Sequence, residues 1–269
     1  MIGANDQRPT APTRHGAYLC LRPRPGARHV LVGADVPALV ERLGLTNEFG
    51  AAGGHPREAV AYLRRVGGTP WHIADDGLLH AEAVVHVAAP TAEWVEQFCA
   101  GLDRLVGQAA EIRVLGGEVR GRRYTSEAMH DFAYAHQVLQ HPGATAPNAF
   151  LVPVRKTAAW WKKSWLERHT YFLPRYDEAG RMLNEGHALA AAAGIPCLMR
   201  RTYRHPTEPA GDGAYDFVSY FECADEDAPT FHAVCTALRD VARNPEWAFV
   251  REGPTWQGRR VATWAELFA

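Results

Sequence analysis

The sequence has few of the features that mark secreted, zinc-ribbon or nucleic-acid-binding proteins. Its five cysteines, Cys20, Cys99, Cys197, Cys223 and Cys235, are an odd number and form no C-x-x-C pair. This pattern argues against a disulfide framework and against a zinc ribbon. The formal net charge is −1, which gives nucleic acids and anionic membranes no electrostatic attraction. A reducing cytoplasm is the simplest expected location.

Long apolar runs are also absent. No stretch is apolar enough over sufficient length to span a bilayer. The first residues, MIGANDQRPTAPTRHG, lack the apolar core of a secretory signal, and we predict a disordered tail over residues 1–15. The 269 residues are 47% hydrophobic and 22% charged, so the chain can bury one large core or two of ordinary size.

The order of predicted elements indicates an α+β protein made of two similar halves. In the second half, from residue 149 to 269, the pattern predicts strands over 149–156, 196–204, 215–223 and 247–253, and helices over 178–193 and 228–243. This is the strand–helix–strand–strand–helix–strand order of a ferredoxin-like unit. Residues 16–119 follow a looser version, in which 56–66 has helical spacing, and 120–148 is predicted to connect the halves. Two such units pack sheet to sheet or close a barrel.

The segment EAGRMLNEGHALAAAAG, residues 178–194, is the most informative one. On a helix, Leu183, Ala190 and Ala191 would lie beside His187 and leave an apolar recess next to its imidazole. A porphyrin needs a nitrogen ligand for its iron and no bulky neighbour. The residues alone nevertheless favour a plainer interpretation, a helix packed closely through its alanines with His187 polar at its rim.

The strand that follows carries two adjacent arginines, Arg200 and Arg201. Strand alternation sends them to opposite faces of the sheet, so only one of them can face a given site. A guanidinium there would hold an anionic substrate and stabilise charge on oxygen. Two surface arginines on an edge strand are the plainer interpretation.

From about Asn148 to Arg260 the sequence resembles the C-terminal half of the chlorite dismutase-like proteins. Lys156 followed by Trp160 and Trp161 is similar to the K-x-x-x-W-W of that family. Arg200 follows His187 by 13 positions, which is similar to the interval between the proximal heme histidine and the distal arginine. The strand pair MRRTYRH and YDFVSYFE and the closing REGPTWQG resemble further family segments.

This resemblance implies a dimeric α+β barrel that binds a b-type heme. It makes His187 the axial ligand of the iron, Arg200 the distal catalytic group, and Glu246 the carboxylate that hydrogen-bonds the proximal imidazole. Trp160, Trp161 and Met199 would line the heme pocket. The implied activity is that of a heme oxidoreductase acting on a small anionic oxidant such as chlorite, on peroxide, or on a specialised organic nitrogen or oxygen compound.

The sequence departs from the family pattern at two places. Between Trp161 and the predicted ligand it has extra residues, about 162–180, which contain His169-Thr170, similar to the family's H-T step. His169 is therefore a rival axial ligand, although it is farther from Arg200 and is followed by Pro174. Family members that decarboxylate coproheme carry a reactive tyrosine where this chain has Trp161, which argues against that role unless Tyr171 or Tyr176 reaches the pocket.

Two alternatives stay open from the sequence. The chain could be a coproheme decarboxylase, or a heme-free barrel that serves as a binding or regulatory module. His130, His136 and His141 are spaced so that no two share a helical face, which argues against a metal site; if the connector lies over the heme edge, they would be substrate contacts. Two half-units with exposed sheet edges are expected to self-associate, and the resemblance suggests a homo-oligomer, with a pentamer as one option.

Overall fold

One order of elements occurs twice in the chain. The structure is a computed structural model and describes residues 14–48, 58–73, 77–119 and 146–269. The first half comprises β1 (Arg14–Pro23), α1 (Arg28–Val32), α2 (Val36–Arg42), β2 (Thr46–Asn47), β3 (Ala59–Thr69), β4 (Ala83–Ala89), α3 (Ala92–Val106) and β5 (Ala110–Val119).

The second half has the same plan, with extra short elements between its first two long strands. It comprises β6 (Asn148–Lys156), α4 (Ala158–Trp161), α5 (Trp165–Thr170), β7 (Arg175–Tyr176), β8 (Met182–Asn184), α6 (Gly186–Ala190), β9 (Met199–Arg204), β10 (Phe217–Cys223), α7 (Ala228–Arg239), β11 (Val250–Glu252) and β12 (Thr255–Val261). A 3₁₀ turn over Pro245–Phe249 follows α7 and leads into β11.

Eight long strands close into a barrel. Their order is β10-β9-β5-β1-β4-β3-β12-β6, and β6 pairs again with β10. Within the halves, the orders β5-β1-β4-β3 and β12-β6-β10-β9 are both that of a ferredoxin-like sheet. The α+β fold class and the two ferredoxin-like halves are therefore confirmed. Between the halves, β12 pairs with β3 along its whole length, whereas β9 pairs with β5 only at Arg204 and Glu118.

Strand alternation divides the side chains between the barrel interior and the helix-covered outside. Tyr18, Leu151 and Trp256 belong to an interior core to which both halves contribute. Outside the first half, α2 and α3 pack on the sheet through residues such as Leu39 and Phe98. Outside the second half, α7 packs on β6 and β10 in a separate core. The second half thus has an outer layer of helices in which a site can lie.

Two stretches predicted as helical have a different structure. Within the predicted helix 56–66, residues 59–66 belong to β3, which lies between β4 and β12. The first five residues of β3 are buried, so its apolar residues follow one another without the alternation of a half-exposed strand. The helix predicted over 178–193 is reduced to α6 and a short turn. Gly180 and Gly186 have φ values of +75° and +62°, which interrupt a right-handed helix.

The last strand was also predicted in the wrong place. Residues 247–253 contain only the three-residue β11, while the fourth strand of the second half is β12. β11 and β12 pair with successive parts of β6. The strand is interrupted between them at Gly253 and Pro254 and then continues along the same neighbouring strand. Proline has no backbone N–H and interrupts the ladder there.

Several predictions fall on residues that the structure does not describe. They are His130, His136 and His141, most of the connector over 120–148, and most of the tail over 1–15. Among the described residues, no helix has the length and hydropathy needed to cross a membrane. The described ranges also hold no group of three or more histidine, cysteine or acidic side chains placed to bind a metal ion.

Candidate functional site

The short helix α6 presents His187 on the helix-covered side of the second half. It packs against α7 and against the turn Pro245–Phe249. Gly186 begins α6 with a positive φ, and a Cβ on this residue would lie 2.4 Å from the carbonyl oxygen of Leu173. Only glycine fits this close approach, which sets the start of α6 directly against the preceding segment.

His187 is in contact with a buried ion pair. Its Nδ1 lies 3.1 Å from Oε2 of Glu246, and Oε1 of Glu246 accepts a hydrogen bond of 2.5 Å from Nζ of Lys156. The side chains of Glu246 and Lys156 are each 3% exposed, and that of His187 is 14% exposed. A carboxylate at Nδ1 fixes the orientation and tautomer of the imidazole and directs a metal to Nε2. The arrangement fits the predicted role of Glu246.

An aromatic cluster surrounds this ion pair. Trp160 is fully buried, and its ring centroid lies 4.4 Å from Nζ of Lys156. The ring of Phe172 stacks on that of His187, with centroids 4.8 Å apart and an interplanar angle of 23°. Trp161 is partly buried beside Trp160, and its indole Nε1 is buried without a hydrogen-bond partner in the described part of the chain. Such a donor is available to an acceptor on a ligand.

Arg200 and Arg201 lie on opposite faces of β9, as strand alternation predicts. Arg201 is buried in the barrel interior, whereas Arg200 is half-buried on the outer face together with Thr202, whose Oγ1 is 3.3 Å from Oγ of Ser219. The outer face is the side on which α6 and α7 pack. Arg200 is therefore the arginine that shares a side of the sheet with His187.

Met199 does not fit its predicted role. It is 1% exposed and packs in the interior core with Tyr203 and Leu151. Adjacent residues of a strand point to opposite faces, so Met199 cannot share the outer face with Arg200. We correct the prediction that Met199 contacts the heme and assign it to the barrel core.

A second charged cluster lies inside the barrel. Nη2 of Arg201 is 3.3 Å from Oε1 of Glu48, and Nη1 of Arg260 donates a hydrogen bond of 2.5 Å to Oε1 of Glu222. Each buried guanidinium thus contacts a buried carboxylate, which offsets much of the cost of removing these charges from water. Burial raises the pKa of Glu222 and of the neighbouring Tyr220 above their ordinary values. The cluster joins the two halves and is separate from His187.

Comparison with known proteins gives matches among solved structures only. No protein-family model and no curated protein sequence matches the chain. The chlorite dismutase from Candidatus Nitrospira defluvii in complex with imidazole is similar at a TM-score of 0.66 and 20% identity, over 95% of this chain and 93% of that one. The dimeric chlorite dismutases from Nitrobacter winogradskyi match at a TM-score of 0.52 and 21% identity, over 75% of this chain and 99% of theirs. The chain has the chlorite dismutase fold.

Residues 162–180, predicted as an insertion, contain α5 and β7, and β8 follows them to form a hairpin with β7. His169 lies near the end of α5, and its carbonyl oxygen accepts the N–H of Phe172 at 3.0 Å. The Lys156–Glu246 pair contacts His187. Tyr171 packs in the aromatic cluster, with its ring centroid 5.6 Å from that of Trp160, whereas Tyr176 is exposed on the hairpin.

Sequence reasoning missed two residues of this site. Lys156 was noted only as part of a motif, and nothing in the sequence indicated that it pairs with a carboxylate 90 positions away. Phe172 was part of an insertion of unassigned role. The local signal was the run Tyr171-Phe172-Leu173 within a stretch rich in charged residues, which indicates a segment that is at least partly buried.

Proposed function

We propose that this protein is a heme-dependent oxidoreductase that holds a b-type heme on His187. The proposal rests on the chain of contacts from Lys156 through Glu246 to His187. These contacts are largely buried and lie on the outer side of the strands of the second half. A carboxylate behind the imidazole is the usual second partner of a metal-binding histidine. The shared fold with chlorite dismutases supports a heme protein of this class.

The residues around His187 fit a tetrapyrrole. Gly186, Ala188 and Ala190 give α6 small side chains beside His187, which suits close approach of a flat ring on the side that Phe172 does not cover. Trp160 and Phe172 pack behind the site, against Lys156 and His187 respectively. The buried Nε1 of Trp161 offers an N–H to a carboxylate or other acceptor at the edge of a bound ring.

The roles of the chain's residues follow from their chemistry. A bound heme supplies a redox-active iron with an open coordination position for small oxidants. Glu246 holds the proton on Nδ1 of His187 and makes this ligand more electron-donating. Trp160 keeps water away from the Lys156–Glu246 pair, which strengthens their attraction.

Arg200 is the proposed catalytic residue. Its guanidinium carries a permanent positive charge and donors in a planar array, which suit a small anionic oxidant or peroxide and stabilise negative charge on oxygen. A specialised organic nitrogen or oxygen compound is a further substrate class. The Arg200→Ala variant is expected to keep its heme and to turn over chlorite or peroxide more slowly. Unchanged turnover would refute the role of Arg200.

Absorption spectra of reconstituted protein test the ligand. Wild type, His187→Ala and His169→Ala are reconstituted with heme b and compared. We expect the high-spin ferric spectrum in wild type and His169→Ala and its loss in His187→Ala. Loss only in His169→Ala would assign the iron to the rival histidine. A wild type with no Soret band would favour a heme-free binding or regulatory module.

One observation favours a second function, coproheme decarboxylation. Tyr171 lies in the aromatic cluster next to Trp160 and Trp161, close to the position at which decarboxylating relatives carry their tyrosine. Coproheme and hydrogen peroxide would then give heme b, and Tyr171→Phe would abolish this conversion. Absence of heme b from wild type under these conditions would exclude this function.

We also propose that the protein forms a homo-oligomer in the cytoplasm. A solved relative by fold is described as dimeric, and a pentamer is the arrangement that the family resemblance suggests. Light scattering of purified protein gives the number of subunits.

A further inference from the structure

The insertion after Trp161 is in contact with the helix that carries His187. The N–H groups of His187 and Ala188 donate hydrogen bonds of 3.1 Å each to the carbonyl oxygens of Tyr171 and Phe172. The first N–H groups of any helix lack partners within the helix, and α6 is only five residues long. The backbone of the insertion therefore caps α6 at the predicted ligand.

The same segment supplies the ring that faces the imidazole. Phe172 is 3% exposed and stacks on His187 at 4.8 Å with nearly parallel planes. Glu246 contacts the edge of the imidazole at Nδ1, while Phe172 covers one of its faces. Rotation of the imidazole about either side-chain bond would break one of these two contacts. Together they determine the plane of the ring.

Both contacting segments are attached to the first residues of α6. On one side, the missing side chain of Gly186 allows the backbone of Leu173 to lie against it. On the other side, Glu185 makes a two-pronged ion pair with Arg243, at 2.9 Å for each oxygen, and the N–H groups of Glu185 and Gly186 donate to the Arg243 carbonyl. Arg243 lies three residues before Glu246. The positions of Phe172 and Glu246 relative to His187 are thereby coupled.

From this arrangement we infer that Phe172 is a positioning residue for the axial imidazole. The insertion would then support the residue that holds the cofactor. The inference rests on the proposed function, because it assumes that His187 is the ligand. It assigns the role of Phe172 to the orientation of the ligand plane, which sets how the imidazole interacts with the iron.

The test uses the heme-loaded full chain and measures the bond to the ligand. Phe172→Leu keeps most of the buried volume and removes the flat ring, whereas Phe172→Tyr keeps the ring. The matched control is Trp165→Leu, because Trp165 is 63% exposed on α5 of the same insertion. The readouts are the iron–histidine stretching band of the ferrous protein, the g-value splitting of the ferric protein, and the rate of heme loss to apomyoglobin.

We expect Phe172→Leu to shift or broaden the stretching band, to change the g-value splitting, and to lose heme about 10-fold faster, the lower end of the effect of a lost outer partner. Phe172→Tyr and Trp165→Leu should behave as wild type. Identical spectra and heme loss in Phe172→Leu and wild type would overturn the inference. If His187→Ala keeps the band, the proposed ligand itself is wrong, which is a different result.

A measurement on the apoprotein does not depend on the heme. The His187 ring nitrogens are followed by NMR in the unloaded protein, with His187→Ala used for assignment. We expect the imidazole of His187 to hold one orientation and to reorient slowly in wild type, and to reorient faster in Phe172→Leu. Both proteins should give the spectrum of a folded protein. Equal ring motion in the two proteins would contradict the restraining role of Phe172.

Discussion

Replacing Glu246 by glutamine tests the centre of the proposed site. The carboxylate contacts Nζ of Lys156 at 2.5 Å and Nδ1 of His187 at 3.1 Å, and it is almost fully buried. A glutamine has the same shape, and its carbonyl oxygen can still accept from Lys156. Its NH₂ group would then face Nδ1, so Nδ1 must become an acceptor and the proton moves to Nε2, the nitrogen that a metal needs.

Two effects of different size follow from this change. Loss of an outer partner of a metal ligand weakens binding by about 10–100-fold, so heme affinity should fall within that range. Removing one charge of a buried pair destabilises a protein by about 3–5 kcal/mol, so the apoprotein should lose about 3 kcal/mol, because the amide keeps part of the Lys156 contact. Heme titration and urea unfolding of the apoprotein measure these separately.

Glu178→Gln is the matched control for this experiment, because Glu178 is exposed on the same insertion and its replacement removes the same charge. The control should match wild type in both assays. If Glu246→Gln bound heme as tightly as wild type and kept its iron–histidine band, the carboxylate would not be orienting the imidazole. His187 would then no longer be supported as the iron ligand by its contact with Glu246.

The remaining predictions concern stability and reactivity. Burial raises the pKa of Tyr18 and of Tyr220. Their contribution to the free energy of unfolding is therefore complete below about pH 10 and falls above it by about 1.4 kcal/mol per pH unit for each residue. Urea midpoints measured from about pH 9 to 11 will check this. Burial raises the pKa of the Cys223 and Cys235 thiols to about 12, so native alkylation at pH 8 should be about 10³-fold slower than for an ordinary thiol, measured by peptide mass spectrometry. Gly186→Ala should cost about 1–3 kcal/mol in apoprotein unfolding, and an unchanged midpoint would contradict the close approach to Leu173.

The sequence was sufficient for the plan of the fold because each half repeats the same order of strands and helices. It failed where local periodicity did not reflect the environment. The buried start of β3 has no alternation, and the helix expected around His187 was interrupted by Gly180 and Gly186, whose positive φ values are a property of the backbone path. Leu183, expected beside His187, is exposed on β8 instead.

The candidate site was predictable only where its residues lie within one stretch of the sequence. The spacing from His187 to Arg200 depends on one continuous stretch, so a resemblance over that stretch was enough to propose both residues. The contacts of His187 with Glu246 and Phe172 join separate segments, and no local pattern contains them. Met199 was misplaced because a neighbour of Arg200 in sequence was taken as its neighbour in the site, although the two point to opposite faces of β9.

The pairing of β3 with β12 and of β5 with β9 makes the two halves structural complements. The second half cannot satisfy its outer backbone groups by itself, because the strands that do so are contributed by residues 59–119. The proposed heme site near His187 and the integrity of the first half are therefore linked, although no residue of the first half is assigned to the site. A substitution that loosens β3 or β5 should weaken the proposed site, because it loosens the sheet that carries Arg200.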